Sequence, residues 1–384
     1  MITEARRIDW GLQARRWGPT LLVLFAVISL TLLGLIVLYS AGRAEATGAS
    51  TYMKKQAMWL VLAIGVFYFA YRLDLERLRP LAPWIAIVAL LLLIAVLVPG
   101  IGRKVNGARR WIDLGPMNMQ VSDFVKIALI FVLAHYLAAN QRLLDTFKRG
   151  FLIPGILFGV VFVMILLQPD YGTALLCAIV GTCMLFLAGA RMLYIIPSAI
   201  IGLFLFAVAI IHDPVRIRRI MAFMDVEGNK SDSAYQLWQG ILAFGAGGLG
   251  GVGLGNGRQQ MAFLPEAHTD FIFPIIGEEL GFFFTIGVVL AFALIFVVVV
   301  WNLRRASNLF QFLLTIGALL LIILQALINF GVVTGLLPTK GMSLPFISYG
   351  GSNLLALAAC VGIILNHFRL WALGPQQRAC ELEV

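Results

Sequence analysis

The stretch FIFPIIGEELGFFFTIGVVLAFALIFVVVVW, residues 271–301, decides the fold class of this chain. Residues 280–301 contain no charged side chain, so as an α-helix they can cross a hydrocarbon core of roughly 30 Å. The apolar residues are continuous rather than alternating, which favours helices over a membrane β-barrel. The whole chain is 61% hydrophobic and only 12% charged. The sequence therefore predicts an all-α polytopic membrane protein.

Similar apolar runs recur along the 384 residues and predict ten transmembrane helices. The predicted spans are 20–41, 56–71, 81–98, 121–138, 151–168, 172–190, 192–211, 271–301, 308–330 and 350–368. An even number of spans places both termini on one side of the membrane. The chain then consists of an N-terminal tail (1–19), one membrane domain (20–369) and a C-terminal tail (370–384). A large extracytoplasmic loop, 212–270, connects helices 7 and 8.

The distribution of basic residues predicts how the chain is oriented in the membrane. Lys and Arg are slightly more frequent on the side of the N-terminus, which predicts cytoplasmic termini. The arginines before the first span resemble a secretory signal, but an apolar run of about 20 residues is longer than a signal h-region, so we expect an uncleaved helix. The formal net charge of +10 favours contact with anionic membrane lipids. Nucleic acid is not expected as a partner, because no soluble basic domain is present.

Two basic patches lie in the loops that face away from the cytoplasm. One is NGARRW, residues 106–111, with Arg109 and Arg110; the other contains Arg216, Arg218 and Arg219. Each patch is typical of a membrane anchor at the lipid headgroups. Arginine clusters also bind phosphate groups well, because the guanidinium geometry matches them. Two patches on one face favour an anionic ligand, although the residues alone leave both interpretations open.

The large loop ends in the glycine-rich segment GAGGLGGVGLGNG, residues 245–257. Its first six residues match the dinucleotide pattern G-x-G-x-x-G, but that pattern requires a βαβ unit, which is not expected here. Two interpretations remain: a flexible hinge, or a bare backbone that a bulky lipid headgroup can approach.

Ionisable residues inside or near a membrane are costly, and are by default paired or functional. Asp123 and Lys126 are three residues apart, on one face of a helix, which predicts a salt bridge between them. Asp170, in QPDYG, lies at the short break between the predicted spans 151–168 and 172–190, where it is either a turn residue or a substrate ligand. Glu278 and Glu279 lie in the first part of the span at 271–301.

Another group of ionisable residues directly precedes that span and consists of Glu266, His268 and Asp270. Thr269 or Asp270 could be the N-cap of the eighth helix. A carboxylate partly withdrawn from water is also a good proton acceptor near neutral pH, so Asp270 could be a general base. The residues alone do not decide between cap and base.

Four long motifs resemble the SEDS (shape, elongation, division and sporulation) family. They are NGARRWIDLG, QPDYGTA, GVGLGNGRQQMAFLPEAHTDFIFPIIGEELG and LPTKGMSLPFISYGGSNL, in the order found in the family. The resemblance extends over about residues 20–369. The last motif is more similar to the cell-division members than to the rod-shape members.

The resemblance implies a ten-helix SEDS fold with both termini cytoplasmic. It also implies a glycosyltransferase that polymerises lipid II into peptidoglycan on the outer face of the cytoplasmic membrane, during septal wall synthesis. The essential aspartate of the family corresponds to Asp270. The implied substrate-binding residues are Arg109, Lys126, Asp170, Arg216, Arg218, Glu266, His268, Ser348 and Tyr349. This chain departs from the family at residues 120–123, where QVSD replaces the usual QPSE.

The expected chemistry needs few catalytic groups. Lipid II carries an α-linked disaccharide and the product linkage is β, so a single displacement suffices. This requires one base, Asp270, and cations that stabilise the departing pyrophosphate. A divalent cation such as Mg²⁺ could help, but no ligand cluster in the sequence predicts one. The expected partners are the growing glycan strand, other division proteins, and a class B penicillin-binding protein docked on helices 8 and 9, about residues 282–330.

Three alternatives remain. A lipid II flippase would place charged groups through the full depth of the bilayer. A non-catalytic scaffold would recruit the transpeptidase and not depend on Asp270. A polymerase of the elongation type would share the chemistry and differ in its cellular role.

Overall fold

The computed structural model describes residues 10–41, 49–105, 108–113, 115, 118–259 and 268–372. Among them are twelve α-helices: α1 (Trp10–Ala41), α2 (Ala49–Arg72), α3 (Ala82–Leu97), α4 (Val121–Ala139), α5 (Ile153–Leu166), α6 (Tyr171–Leu187), α7 (Met192–Ile211), α8 (Pro214–Met224), α9 (Tyr235–Gly247), α10 (Ile272–Leu303), α11 (Leu309–Val333) and α12 (Gly351–Ala372).

The predicted spans correspond one by one to these helices, apart from α8 and α9. In the described part of the chain, eight helices are long and apolar enough to cross a membrane. The chain is therefore a multi-pass membrane protein. The helix α6, with 17 residues, is shorter, and α2 is also not among the eight. That α2 and α6 also cross the membrane, and that there are ten transmembrane helices, therefore stays a prediction.

The core of the bundle is formed by α4, α11 and α12, whose residues are mostly buried. The most extensive helix pairs are α12 with α2 and α1 with α10. By contrast, α7 exposes most of its apolar side chains, among them Leu193, Ile200 and Phe204. Because lipid rather than water surrounds such a helix, this exposure is not costly.

The connection between α3 and α4 contains a small sheet that the sequence analysis did not predict, within a protein that is otherwise helical as expected. Its strands are β1 (Gly102–Val105), β2 (Ala108–Asp113) and β3 (Asn118–Gln120). They pair antiparallel in the order β1-β2-β3. Arg103 lies opposite Trp111, and Trp111 lies opposite Gln120. The strands are too short and polar to give a hydropathy signal.

The large loop between α7 and α10 is also ordered where the structure describes it. The Asp213 side chain caps α8 by accepting hydrogen bonds from the amides of Val215 (3.0 Å) and Arg216 (3.4 Å). Pro214 occupies the first helical turn, where its missing N–H is not needed. The second helix of the loop, α9, packs against α10.

Contacts between connecting segments identify the two ends of the bundle. At one end, Gln120 Nε2 donates to Asp170 Oδ2 (3.2 Å), and the Tyr349 amide donates to the His268 carbonyl (3.0 Å). We call this end, at which α4, α6 and α10 begin, the site end. At the other end, Asn308 Nδ2 donates to Glu76 Oε1 (2.6 Å). The candidate residues of four different connections therefore meet at the site end.

Candidate functional site

Asp270 lies just before α10 at the site end. The N-cap of α10 is Phe271, which makes no side-chain cap hydrogen bond. Neither Thr269 nor Asp270 is therefore the N-cap, and that interpretation is wrong. The Asp270 carbonyl accepts a hydrogen bond from Asn329 Nδ2 (2.9 Å). Gly341 lies close to the carboxylate: a Cβ added there would be 2.8 Å from Asp270 Oδ2.

Two arginines from different segments meet at one backbone carbonyl near the start of α6. Arg216 in α8 donates to the Pro169 carbonyl (3.0 Å), and its guanidinium lies 4.8 Å from the centre of the Tyr171 ring. Arg110 in β2 donates to the Gln168 carbonyl (2.9 Å) and to the Pro169 carbonyl. The small sheet and α8 are thus joined through the connection between α5 and α6.

Two further cations, Arg219 and Lys340, complete the cluster. The pKa of Arg219 is lowered, first by burial and then by repulsion from Arg216, while Asp270 acts in the opposite direction. Burial and then Arg216 likewise lower the pKa of Lys340, which Asp170 partly offsets. We call Arg110, Arg216, Arg219 and Lys340 the cationic cluster. Its charges come from three separate segments. Three acidic residues face it: Asp170, Asp213 and Asp270.

The sequence analysis placed Arg110 and Arg219 in the two basic patches but not among the substrate-binding residues, and it did not single out Lys340. For Arg219 a signal was present, because residues 216 and 219 share one face of a helix while 218 points elsewhere. Arg218 is exposed, and the structure does not bring it into the cationic cluster. For Lys340 the sequence contains no comparable signal, because it lies in an irregular loop.

Asp170 is buried and caps α6. Its Oδ1 accepts the Thr173 amide (3.2 Å), and its Oδ2 accepts Gln120 Nε2 (3.2 Å). The interpretation as a turn residue is confirmed by this cap. The same carboxylate lies close enough to Lys340 to raise the pKa of its ammonium group. Asp170 therefore also contributes to the electrostatics of the site.

Asp123 and Lys126 form the predicted salt bridge. The distance from Lys126 Nζ to Asp123 Oδ1 is 2.9 Å, and both side chains are 6% exposed. Asp123 Oδ2 also accepts a hydrogen bond from Ser352 Oγ in α12 (2.8 Å). The pair therefore joins α4 to α12 inside the bundle. Substrate binding by Lys126 stays a prediction.

Arg109 and Ser348 make structural contacts. Arg109 lies next to Arg110 on β2, where the pairing with β1 shifts its register. Arg109 Nη1 donates to the Leu97 carbonyl (3.4 Å). Ser348 is buried, and its Oγ accepts the Leu344 amide (2.8 Å). Substrate binding by either residue stays a prediction.

His268 and Tyr349 are neighbours in the structure. Their ring centres are 6.0 Å apart, and burial raises the pKa of the Tyr349 hydroxyl. The structure therefore brings Tyr349 to His268, two residues before Asp270 in the chain. The predicted residue Glu266 lies outside the described residues.

The glycine-rich segment packs part of its backbone against α10, and its two predicted roles, hinge or approach surface, stay predictions. The amide of Val252 donates to the Glu278 carbonyl, and that of Gly253 to the Glu279 carbonyl, both at 2.9 Å. Gly281 breaks the helical geometry of α10 with φ of 80°. A Cβ on Gly281 would lie 2.4 Å from the amide nitrogen of Gly251, so no larger residue fits.

Glu278 and Glu279 hold this packing in place. Glu278 Oε1 accepts the amides of Arg258 (2.7 Å) and Gln259 (3.1 Å). Glu279 Oε1 accepts the Gly255 amide (2.8 Å) and the hydroxyl of Ser40 (2.6 Å). Both glutamates are 1% exposed. They therefore fix the glycine-rich segment and α1 to α10.

Within the described ranges, no group of three or more His, Cys, Asp and Glu side chains is arranged to hold a metal ion.

Comparison with known proteins identifies the family. The model of the FtsW, RodA and SpoVE family, described as cell cycle proteins, matches residues 20–369. This chain belongs to that family. It is 39% identical over 353 residues to the "Probable peptidoglycan glycosyltransferase FtsW" of Trichlorobacter lovleyi, covering 90% of this chain and 92% of that protein. It is 38% identical to "Stage V sporulation protein E" of Bacillus subtilis, covering 92% and 97% of the two chains.

Solved structures agree with this assignment. One, from work on "Structural coordination of polymerization and crosslinking by a peptidoglycan synthase complex", has a TM-score of 0.74 and 27% identity, with coverage of 92% of this chain and 98% of that one. The rod shape determining protein RodA of Thermus thermophilus has a TM-score of 0.68 and 27% identity, with coverage of 92% and 96%. The SEDS fold implied by the motifs is thereby confirmed.

Proposed function

We propose that this protein is a peptidoglycan glycosyltransferase that polymerises lipid II, with Asp270 as its general base. The observation that supports it most is the position of Asp270, beside a cationic cluster built from three segments at one end of a membrane bundle. The name of the relative that is 39% identical supports the same activity.

In this mechanism the Asp270 carboxylate accepts the proton of the incoming 4-hydroxyl. The hydroxyl oxygen forms a bond to the anomeric carbon of the donor while the bond to the pyrophosphate breaks. An α-linked donor thus gives a β-linked product in one step. The leaving group gains negative charge, which Arg110, Arg216, Arg219 and Lys340 are positioned to stabilise in a partly dehydrated site.

The site end is proposed to face outwards from the cytoplasmic membrane, with both termini in the cytoplasm. The distribution of Lys and Arg supports this orientation. A septal role is supported by relatives called FtsW that are 39% to 40% identical, although the sporulation relative, at 38%, is nearly as similar.

A class B penicillin-binding protein is the proposed partner, with α10 and α11 as its docking surface, about residues 282–330. The similarity to a structure from a peptidoglycan synthase complex supports it. The apolar side chains of Phe282, Phe283 and Leu290 on α10 are exposed. Such side chains could contact either lipid or a transmembrane helix.

The test is polymerisation of purified lipid II by the protein with its transpeptidase partner, comparing Asp270→Asn with the wild type. A matched control is Asp232→Asn, in an exposed position of the same large loop. We expect loss of polymer for Asp270→Asn and normal polymer for Asp232→Asn, with both variants folded. Equal polymer from all three proteins would refute Asp270 as the base. Lipid II translocation without any polymer would instead support the flippase alternative.

A further inference from the structure

The proposed base is attached to the centre of the bundle through a buried amide. We infer that Asn329 is a positioning residue, which fixes Asp270 relative to the segment that carries Lys340. This inference rests on the proposed function, because it assigns Asn329 a role through Asp270.

Asn329 lies on α11 and is 2% exposed. Its Nδ2 donates to two backbone carbonyls: that of Asp270 at 2.9 Å and that of Met342 at 2.7 Å. Carbonyl oxygens only accept hydrogen bonds, so the NH₂ group and not the oxygen must face them. The side-chain oxygen of Asn329 is buried and has no hydrogen-bond partner among the described residues. The two donated bonds are therefore the polar contacts that this side chain makes there.

A second amide, one helical turn earlier, holds the same segment. Gln325 Nε2 donates to the Ser343 carbonyl (2.9 Å) and to Asn353 Oδ1 (3.2 Å). Asn353 Nδ2 in turn donates to Ser343 Oγ (3.0 Å). We call residues 340–344 the strap. Two consecutive strap residues, 342 and 343, are thus held by amides of α11.

The strap crosses in front of the proposed base. The Met342 amide donates to the Lys340 carbonyl (3.0 Å), which makes a tight turn with Gly341 at its tip. That tip is the position at which an added Cβ would approach Asp270 Oδ2 to 2.8 Å. Because one donor holds both Asp270 and Met342, it sets the distance between the proposed base and the strap, and hence the position of Lys340.

The consequence for catalysis follows from the geometry. Without the amide, two buried carbonyls lose their shared donor, and the strap and Asp270 can move apart. The substrate can still bind through the cationic cluster, but the base is no longer held beside the acceptor hydroxyl. A misplacement of about 1 Å in such a group costs about 100-fold in rate.

The test compares Asn329→Ala with a matched control, Asn366→Ala. Asn366 is 1% exposed, and its Nδ2 donates to the carbonyls of Tyr71 (2.8 Å) and Leu73 (2.7 Å) at the other end of the bundle. Both variants remove a buried amide that donates to carbonyls outside its own helix. We expect kcat for lipid II polymerisation to fall about 10- to 100-fold in Asn329→Ala, with KM changed less than about 2-fold. In Asn366→Ala we expect a lower Tm with kcat retained.

Asn329→Asp is a second variant, in case Asn329→Ala does not fold. It keeps the volume of the side chain, but only its protonated form can donate a hydrogen bond. Its rate relative to the wild type should therefore increase as the pH is lowered. A pH-independent ratio would count against the inference.

Three results would overturn the positioning role of Asn329. The first is a kcat within about 2-fold of the wild type in folded Asn329→Ala, and the second is an equal loss of kcat in both alanine variants. The third is a change confined to KM. Asp270→Asn is measured in parallel. Its inactivity beside a fully active Asn329→Ala would refute the inference alone, whereas an active Asp270→Asn would refute the proposed base.

Discussion

Replacing Gly341 by Ala should displace the Asp270 carboxylate without unfolding the protein. The added Cβ would lie 2.8 Å from Asp270 Oδ2, whereas ordinary van der Waals contact begins at 3.4 Å. The two groups must therefore separate by about 0.6 Å, the difference between these distances. The carboxylate is the end of a side chain and can turn away at small cost, so we expect a change in Tm of less than about 4 °C. Since a 1 Å misplacement costs about 100-fold, we expect about a 10-fold lower rate.

The assay is the initial rate of lipid II polymerisation with the partner present. The matched control is Gly350→Ala, because a Cβ at Gly350 would lie 3.8 Å from the nearest atom, the Cβ of Asn353. This control should keep the wild-type rate. A Gly341→Ala protein that is folded and fully active would show that the position of the Asp270 carboxylate is not critical, and would contradict its role as base. Equal losses in both variants would attribute the effect to the loop backbone.

Three further predictions concern the charges of the site and of the bundle. In Lys340→Arg, the alkaline limb of the rate profile should move to higher pH. The pKa of Lys340 is lowered by burial and by Arg216, so its charge is lost at a lower pH than that of an ordinary lysine, whereas a guanidinium stays charged. An unchanged alkaline limb would mean that another group controls this part of the rate profile. In Asp123→Asn, the Lys126 ammonium, whose side chain is 6% exposed, loses its counter-charge, and the free energy of unfolding in detergent should fall by about 3–5 kcal/mol. In Ser40→Ala, the lost 2.6 Å hydrogen bond to Glu279 should lower that free energy by about 1.5–3 kcal/mol with the rate retained; loss of the rate at unchanged stability would contradict a structural role for this contact.

The membrane helices and the Asp123–Lys126 pair could be predicted because their causes are local. A helix that crosses lipid must satisfy its own backbone hydrogen bonds, so a continuous apolar run is sufficient to locate it. A spacing of three residues places two side chains on one helical face, so opposite charges there are expected to pair. Neither prediction depends on how the helices are arranged relative to one another.

The site itself depends on contacts between distant segments, which composition and spacing do not contain. The role of Asn329 depends on its contact with Asp270, 59 positions away. For the glycine-rich segment, the sequence leaves open a flexible hinge and a bare backbone that a ligand can approach. In the structure the same property, the absence of a Cβ, lets Gly251 approach the backbone of α10 closely. A glycine run is equally compatible with flexibility and with close packing, and only the neighbouring backbone distinguishes the two.

The carboxylates around the start of α10 therefore have two different purposes, which their partners distinguish. Glu278 and Glu279 accept backbone amides of one neighbouring segment, so their charges are used to order that segment. Asp270 instead lies near Arg219 and beside Gly341 of the strap, where charges from several segments gather. Ordering a loop requires only hydrogen-bond acceptors, and the neutral backbone amides of the loop donate to them. Four cations gathered at the mouth of a membrane bundle repel one another. Asp170, Asp213 and Asp270 offset part of this repulsion, and an anionic ligand would offset it further. The cationic cluster is hence more informative about function than the number of carboxylates, and Asp270 is the carboxylate that its ligand would meet.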